Sequence, residues 1–399
     1  MNSKMFKKLT LATFLILISF TLVQAQEGNK AEQTSTLGWF DKIHLGGYMQ
    51  VRYNGLQSNP ELECEQCDEG WGGEENSLSL RRLRFKLYGQ IHPRVFFYFQ
   101  PDFAKSVGDA HHVGRLKDAY FDLGLDRNNE FRLRIGQSKV PFGYENMQSS
   151  SQRLPLDRDD ALNSGLKDER DVGVFFYWAN KQQRNMMNEL KKDGMKHSGD
   201  FGVFALGIYN GQTANHKDRN GKFHVVTRFS LPIEVGNQVI EPGIQAYHGK
   251  YVLQETSPEI NANASKEYLD ERAAVSFVLY PKPFGIQAEY VIGKGPEFNK
   301  ETQKIEVQNL SGGYVTFSYI TGNFIPFTRL QYYDGGKKHE MDARSYTVKE
   351  LELGLEWQPM KAFELVAMYT FSNRRYEDFQ VQDNRQAGSL LRLQAQLNF

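Results

Sequence analysis

Apolar and polar side chains alternate along most of this chain, in segments of about ten residues that end at turns. Successive side chains of a β-strand point to opposite faces, so this period of two predicts strands with one apolar and one polar face. The C-terminal segment shows the pattern most clearly. Its apolar face carries Leu391, Leu393, Ala395, Leu397 and Phe399, and its polar face carries Arg392, Gln394, Gln396 and Asn398.

Sixteen such segments are predicted, and their connections alternate between tight turns (for example 281–282 and 321–322) and long polar loops. An even number of strands returns both ends of the chain to the same side. The connection 180–198 is an exception, because it joins two strands on the tight-turn side yet predicts a polar helix at 181–192; we interpret it as a solvated insertion. The predicted strands are 41–53, 78–90, 94–104, 115–125, 130–138, 171–179, 199–210, 222–231, 238–252, 270–280, 283–293, 309–320, 323–334, 346–357, 361–372 and 388–399.

The fold class predicted from this layout is all-β: a transmembrane antiparallel β-barrel of sixteen strands. A soluble sandwich would turn its apolar faces inward and would need short connections at both ends. No repeat of fixed length supports a solenoid or propeller. The final Phe399, on an alternating strand, is typical of the closing strand that the barrel-assembly machinery recognises.

The first 25 residues predict a secretory signal peptide. Lys4, Lys7 and Lys8 precede an apolar run at 9–23, and Val23-Gln24-Ala25 offers small residues for cleavage after Ala25. An uncleaved membrane anchor is the alternative. We therefore expect residues 1–25 to be the signal, 26–40 to be a short periplasmic segment and 41–399 to be the barrel domain. The expected location is the outer membrane of a Gram-negative bacterium, with outer-membrane lipid around the barrel.

The composition fits a protein that meets both lipid and water. The chain carries 20 Tyr and 28 Phe at a mean hydropathy of −0.57. Its 48 basic and 48 acidic residues balance, so nothing indicates a nucleic-acid partner. Cys64 and Cys67 predict a local disulfide in a loop, because one Cys-x-x-Cys pair supplies too few ligands for a metal knuckle. No metal site, cofactor or catalytic motif is expected, and the scattered His residues argue against an enzyme.

In a barrel of this size the polar face of each strand lines a water-filled interior. This places Arg82, Arg84 and Lys86 of the second segment in the interior, together with Arg132 and Arg134 of the fifth and Arg52 of the first. Acidic residues on interior positions predict a second patch, mainly on late strands: Asp118, Asp122, Glu289, Glu350, Glu352 and Glu356.

The third long loop, residues 139–170, contains Leu154, Leu156, Ala161 and Leu162, which suggest a segment packed against something. A loop folded into the barrel would meet that description and would place Lys139, Arg153 and Arg158 near a constriction, beside Asp157, Asp159 and Asp160. The alternative is a loop that rests on the outer rim.

Two runs resemble the phosphate-selective porin O and P family. They are Ser79-Leu80-Arg81-Arg82-Leu83-Arg84-Phe85-Lys86-Leu87-Tyr88-Gly89, and Arg134-Ile135-Gly136-Gln137-Ser138-Lys139-Val140-Pro141-Phe142-Gly143-Tyr144-Glu145 with its continuation through 153–155 to 170–174. The resemblance implies a sixteen-stranded barrel, an inward third loop and a homotrimer. It also implies that interior Arg and Lys side chains lead anions to the constriction.

The resulting hypothesis is a porin for passive diffusion of small solutes with a mild preference for anions, phosphate among them. The net charge of zero and the three Asp of the loop argue for a mild rather than a strong preference. A non-selective general porin and a barrel enzyme are the alternatives. A plugged transporter would need a longer N-terminal domain. The candidate pore-lining or anion-binding residues are Arg52, Arg82, Arg84, Lys86, Arg132, Arg134, Lys139, Arg153 and Arg158.

Overall fold

A computed structural model describes residues 42–56, 58–59, 62, 77–107 and 110–399. The expected signal peptide, the short segment 26–40 and the expected disulfide of Cys64 and Cys67 lie outside the described residues. Among the residues that are described, no helix has the length and hydropathy needed to cross a membrane.

The described residues form seventeen strands in one closed antiparallel sheet. Strands that follow each other in the chain pair, except for two short consecutive strands that both pair with the next one, and the first strand pairs with the last. These two short strands, His224–Ser230 and Ile233–Val235, together make one stave of a sixteen-staved barrel, because both pair with the strand Gln238–Val252. The predicted strand number is confirmed. The strands are β1 (Ile43–Leu56), β2 (Ser77–His92), β3 (Val95–Val107), β4 (Ala110–Gly124), β5 (Phe131–Lys139), β6 (Arg170–Trp178), β7 (Phe204–Tyr209), β8 (His224–Ser230), β9 (Ile233–Val235), β10 (Gln238–Val252), β11 (Glu267–Leu279), β12 (Phe284–Asn299), β13 (Lys304–Tyr319), β14 (Phe324–Gly336), β15 (Ser345–Met360), β16 (Phe363–Glu377) and β17 (Asn384–Asn398).

The C-terminal residue closes the barrel. The amide of Phe399 donates to the carbonyl of Gly47 at 3.1 Å, and the Gly47 amide donates back to the Phe399 carbonyl at 2.7 Å. The Phe399 ring also lies edge-on to Phe85 of β2, with ring centroids 5.7 Å apart. Pairing of the last strand with the first closes the described sheet on itself, as a lipid environment requires, because lipid cannot hydrogen-bond the backbone groups of an open edge.

Burial follows the predicted alternation: apolar side chains of the strands are exposed on the outside of the barrel, and charged side chains are buried inside it. A soluble protein shows the reverse arrangement. On β2, Phe85 and Leu87 point outward and are 37 % exposed, whereas Arg82 and Arg84 are buried at 1 % and 3 %. A β-bulge opposite Gln50 and Val51 inserts Arg81 as an extra residue, so Arg81 is buried as well. Five of the largest fully buried side chains are arginines: Arg52, Arg82, Arg228, Arg329 and Arg392.

Some strands are longer than the sequence predicts. The polar stretch 294–308 was expected to be a loop, yet β12 runs to Asn299 and β13 begins at Lys304. Cross-strand pairing continues here through Glu297 and Glu306. Because this part of the hairpin need not present an apolar face, its polar sequence resembles that of a loop.

In the part of the chain that the structure describes, three short helices and one 3-10 turn lie between strands: α1 (Tyr144–Met147), α2 (Asp160–Gly165), α3 (Lys181–Lys192) and the turn Met341–Ala343. The predicted helix at 181–192 is confirmed as α3, which begins after Asn180, whose side chain accepts a hydrogen bond from the Gln183 amide at 2.9 Å. Helices α1 and α2 lie in the connection between β5 and β6, which we call the 140–169 segment.

Candidate functional site: the barrel interior

One side of the barrel interior encloses a cavity of about 540 Å³ between strands β2–β5, the 140–169 segment and the region around α3. We call it the basic cavity. The period of two brings its wall residues together, because alternate side chains of four adjacent strands face the same space. Its charged lining consists of eight cationic residues, Lys86, Arg94, Arg132, Arg134, Lys139, Arg170, Arg184 and Lys191, and three acidic ones, Asp118, Asp122 and Asp200.

Each acidic residue of the basic cavity is already ion-paired. Asp122 accepts both bonds of a bidentate pair from Arg134, at 2.7 and 2.8 Å. Asp200 is bound by Arg132 at 2.6 Å and by Arg184 at 3.0 Å. Asp118 pairs with Arg170 at 2.9 Å, so the acidic charge of this cavity is neutralised locally.

Cationic charge is left over. Among the described residues, Lys86, Arg94 and Lys191 have no carboxylate within ion-pair distance. The Lys86 ammonium lies 5.0 Å from the centre of the Tyr48 ring, a cation–π contact that leaves its charge uncompensated. The basic cavity therefore has an excess of positive charge.

The Lys139 ammonium is held differently, by backbone oxygens. It donates to the carbonyls of Asn146 at 2.7 Å and Met147 at 3.1 Å, and also to that of Gln148. These bonds fix the turn after α1 against the end of β5. Lys139 thus lines the basic cavity while it positions the 140–169 segment.

A second group of cations, the arginine group, lies where β2 meets the 140–169 segment and consists of Arg81, Arg82, Arg84 and Arg153. All four are buried, and the guanidinium of Arg82 is repelled by the other three. Arg84 is paired with Asp102 at 2.7 Å, and Arg82 donates to Gln50 at 2.7 Å. Within the described chain, the Nε and Nη1 atoms of Arg153 have no hydrogen-bond partner. Most buried polar atoms have a hydrogen-bond partner, so these two nitrogens need an acceptor that the described residues do not supply.

Two other predicted candidates, Arg52 and Arg158, act as supports. Arg52 donates to Asp157 at 3.1 Å and to the Leu156 carbonyl at 3.1 Å. Arg158 pairs with Glu169 at 3.1 Å inside the 140–169 segment. Both side chains hold the segment in place.

The 140–169 segment contacts buried side chains of β12, β14 and β17. Asp157 also binds Arg392 of β17, and Glu145 pairs with Arg329 of β14 at 3.0 Å. Glu289 of β12 accepts from the Glu145 amide at 2.8 Å. In the two ion pairs, each buried charge has a partner of opposite sign, and the backbone amide satisfies the Glu289 carboxylate.

Apolar contacts accompany these ion pairs. Leu154 and Leu156 pack in one cluster with interior side chains of β14 and β16. Ala161 and Leu162 pack in another, with Tyr247. The prediction that these four residues pack against something is confirmed. The strand residues of the first cluster are Ile325, Phe327, Val366 and Met368.

The sequence interpretation of the late strands was incomplete, because it named only their acidic residues. Buried Arg329, Arg374 and Arg392 stand among those acids and pair with them or with the 140–169 segment. The sequence could have indicated these arginines, since each of them is separated by an even number of positions from neighbouring residues of its strand that face the interior. The late strands therefore carry paired charge of both signs.

The connection 179–203, which contains α3, is not simply solvated. Met187 and Leu190 of α3 are buried. Beyond α3, the Lys196 ammonium reaches Glu356 of β15 at 2.7 Å and Glu364 of β16 at 2.9 Å. The Lys196 carbonyl accepts from Gln148 at 2.6 Å. This connection follows β6 in the chain, and its ion pairs attach it to β15 and β16, which lie far from β6 in the sequence.

Asp159, the N-cap of α2, and Asp160, its first residue, have pKa values that are shifted in opposite directions. Removing the charge of each side chain should therefore have opposite effects on stability. Burial would raise the pKa of Asp160, but Arg374 and Lys337 lower it to about 2. Burial raises the pKa of Asp159 well above its usual value, and Glu145 raises it further. The ionised Asp160 carboxylate therefore stabilises the folded protein at pH values above 3.8, and this stabilisation is lost as the pH falls towards the folded pKa of about 2. The ionised form of Asp159, by contrast, is unfavourable in the folded protein at neutral pH.

We expect Asp160→Asn to lower the free energy of unfolding at pH 7 by about 3 kcal/mol. Asp159→Asn should leave it unchanged or raise it by roughly 1 kcal/mol, because Asn still caps α2 through the Leu162 amide. Denaturant unfolding of the two variants in detergent at pH 7 checks this. Equal losses for both variants would contradict the assignment.

A closed sixteen-staved barrel with apolar residues outside and charged residues inside defines a porin-type channel of the outer membrane. The chain belongs to the phosphate-selective porin O and P family, whose sequence model matches residues 56–399. It is therefore an outer-membrane channel for small solutes and not an enzyme. A comparison with curated protein sequences gave no match.

Solved porin structures share the fold. The channel DcaP of Acinetobacter baumannii is 14 % identical, with a TM-score of 0.58 over 90 % of this chain and 97 % of that one. OmpT of Vibrio cholerae, in its trimer form, is 9 % identical with a TM-score of 0.54 over 90 % and 99 %. An anion-selective porin of Comamonas acidovorans is 14 % identical with a TM-score of 0.52 over 90 % and 99 %.

Proposed function

We propose that this channel passes small anions in preference to cations, polyatomic anions such as phosphate included, along the side of the interior formed by β2–β5. The observation that carries the proposal is the basic cavity, whose acidic residues are all paired while Lys86, Arg94 and Lys191 are not. Fixed charge in a narrow, partly dehydrated passage attracts ions of opposite sign far more strongly than it does in bulk water.

We further propose that the 140–169 segment folds into the barrel and narrows the passage. Its ion pairs with interior residues of β1, β14 and β17 support this. The arginine group would then lie beside the constriction, where its positive charge would act on a passing anion. An anion that leaves the basic cavity would meet the arginine group next.

Three expectations about the mature protein complete the proposal. Residues 1–25 are removed as a signal peptide, the barrel spans the outer membrane of a Gram-negative bacterium, and Cys64 and Cys67 form a loop disulfide in that oxidising location. A homotrimer is the proposed assembly. The family and the trimer form of the structurally similar OmpT support it.

Reversal potentials in planar bilayers under a KCl gradient test the anion preference. We expect the wild-type chloride-to-potassium permeability ratio to exceed one. The triple variant Lys86→Gln, Arg94→Gln, Lys191→Gln should bring it close to one, because it removes the uncompensated cations of the basic cavity.

Lys349→Gln is the matched control, since Lys349 is an exposed lysine of β15 on the opposite parity to the buried Glu350. It should leave the ratio unchanged. A cation preference in the wild type would refute the proposal. A triple variant that keeps the wild-type ratio would place the selective passage elsewhere.

A further inference from the structure

Four aromatic residues on three adjacent strands face the basic cavity, and we call them the aromatic row: Tyr88 of β2, Phe96 and Tyr98 of β3, and Tyr120 of β4. Cross-strand register builds the row, because Tyr88 stands directly opposite Tyr98 and Tyr98 directly opposite Tyr120. Such directly opposed side chains are close enough for their rings to touch.

The rings form a continuous surface. The centroids of Tyr98 and Tyr120 are 5.3 Å apart with planes only 15° from parallel, and those of Tyr88 and Tyr98 are 6.1 Å apart. Phe96 adjoins Tyr88 at 6.4 Å. At the end of the row the Arg134 guanidinium lies 3.9 Å from the centre of the Tyr120 ring. The row thus offers partly exposed aromatic rings bordered by positive charge.

The aromatic row does not have the environment of a structural core. Each of its rings is partly exposed, and the hydroxyls of Tyr88, Tyr98 and Tyr120 make no hydrogen bond to any residue that the structure describes. Aromatic residues that anchor a barrel in a membrane face the lipid, as Phe121 does beside Tyr120 at 43 % exposed. Rings that face a water-filled cavity need a different role.

From this arrangement we infer that the aromatic row and the unpaired cations beside it form a binding site for planar aromatic carboxylates. The inference rests on the proposed function, which requires the solute to be an anion, and adds that the solute carries a flat aromatic ring. A flat ring packs edge-on or offset against the exposed parts of these rings, while Lys86 or Arg94 receives the carboxylate. A neutral sugar could pack against the same rings but would gain nothing from the positive charge.

The size of the space agrees with a single small organic ion. A cavity of about 540 Å³ is within the range of small-molecule sites. Stacking acts in addition to charge, so an aromatic carboxylate should bind more tightly than a saturated carboxylate of the same size and charge. Benzoate and cyclohexanecarboxylate are that matched pair.

The test measures block of the chloride current through the full-length protein in planar bilayers by each of these two anions. We expect benzoate to reach half-block at about fivefold lower concentration than cyclohexanecarboxylate, as one ring–ring contact provides. Tyr98→Leu and Tyr120→Leu, each measured alone, should reduce this ratio to nearly one. Phe121→Leu, on the lipid face of the same strand, should keep it.

Heat-modifiable migration on gels confirms a folded barrel for each variant, and the wild-type comparison of the two anions needs no variant at all. Equal block by both anions, or stronger block by cyclohexanecarboxylate, would overturn the inference while an anionic reversal potential left the proposed function standing. A ratio that persists in both tyrosine variants would also overturn it. A cation-selective reversal potential would refute the proposed function independently of the benzoate result.

Discussion

Asp157→Ala is expected to release the 140–169 segment from the barrel wall and to lower the free energy of unfolding by about 3–5 kcal/mol. The Asp157 carboxylate binds Arg52 of β1 and Arg392 of β17 and lies 3.9 Å from Arg81. Burial alone would raise the pKa of Asp157, yet Arg52 and Arg392 hold it well below its usual value. Without the Asp157 carboxylate, the buried guanidinium groups of Arg52, Arg81 and Arg392 repel one another, and this repulsion destabilises the folded protein.

Denaturant unfolding in detergent measures the stability, and limited proteolysis measures the accessibility of the 140–169 segment. The control is Asp383→Ala, which removes an ion pair of 2.8 Å to Arg375 at a side chain that is 71 % exposed. Exposed pairs contribute roughly 0–1 kcal/mol, so this variant should behave as the wild type. A loss of less than about 1 kcal/mol for Asp157→Ala would show that this carboxylate does not hold the segment.

Lys196→Met is expected to free the end of the connection 179–203 and to increase single-channel conductance. The substitution leaves Glu356 and Glu364 facing each other in a buried place, at a cost of about 3 kcal/mol. Burial would lower the pKa of Lys196, but Glu356 and Glu364 raise it above its ordinary value of 10.5. The stabilisation by this lysine is therefore complete below pH 10.5 and is lost only as pH rises through the higher folded value.

Conductance in planar bilayers and thermal unfolding at pH 7 and 9 check this prediction. Lys192→Met is the matched control, because Lys192 is exposed at the end of α3 and should affect neither quantity. Wild-type protein should show no rise in conductance between pH 7 and 9. Unchanged conductance in Lys196→Met would mean that the connection stays in place without its two carboxylate contacts.

The strands were largely predictable because a wall between lipid and water imposes a local rule on each residue. Outward Phe85 and inward Arg84 differ for a reason that the neighbouring residues alone reveal. The rule weakens at β14 and β16, where apolar Ile325, Phe327 and Val366 are buried in one cluster with Leu154 and Leu156 of the 140–169 segment. No alternation could indicate this, since the contacting residues lie far away in the chain.

The sequence by itself determined the barrel, its number of staves, the side to which many of the strand charges point and the helix α3. The period of two and the turn spacing are local properties, and they suffice when one face must meet hydrocarbon. Only the tertiary structure decided which charges neutralise one another: that Arg52 supports the 140–169 segment, that Lys86 is left unpaired, and that Lys196 reaches β15 and β16. Pairing across the interior depends on distances between residues far apart in the chain, which closure of the sheet brings together.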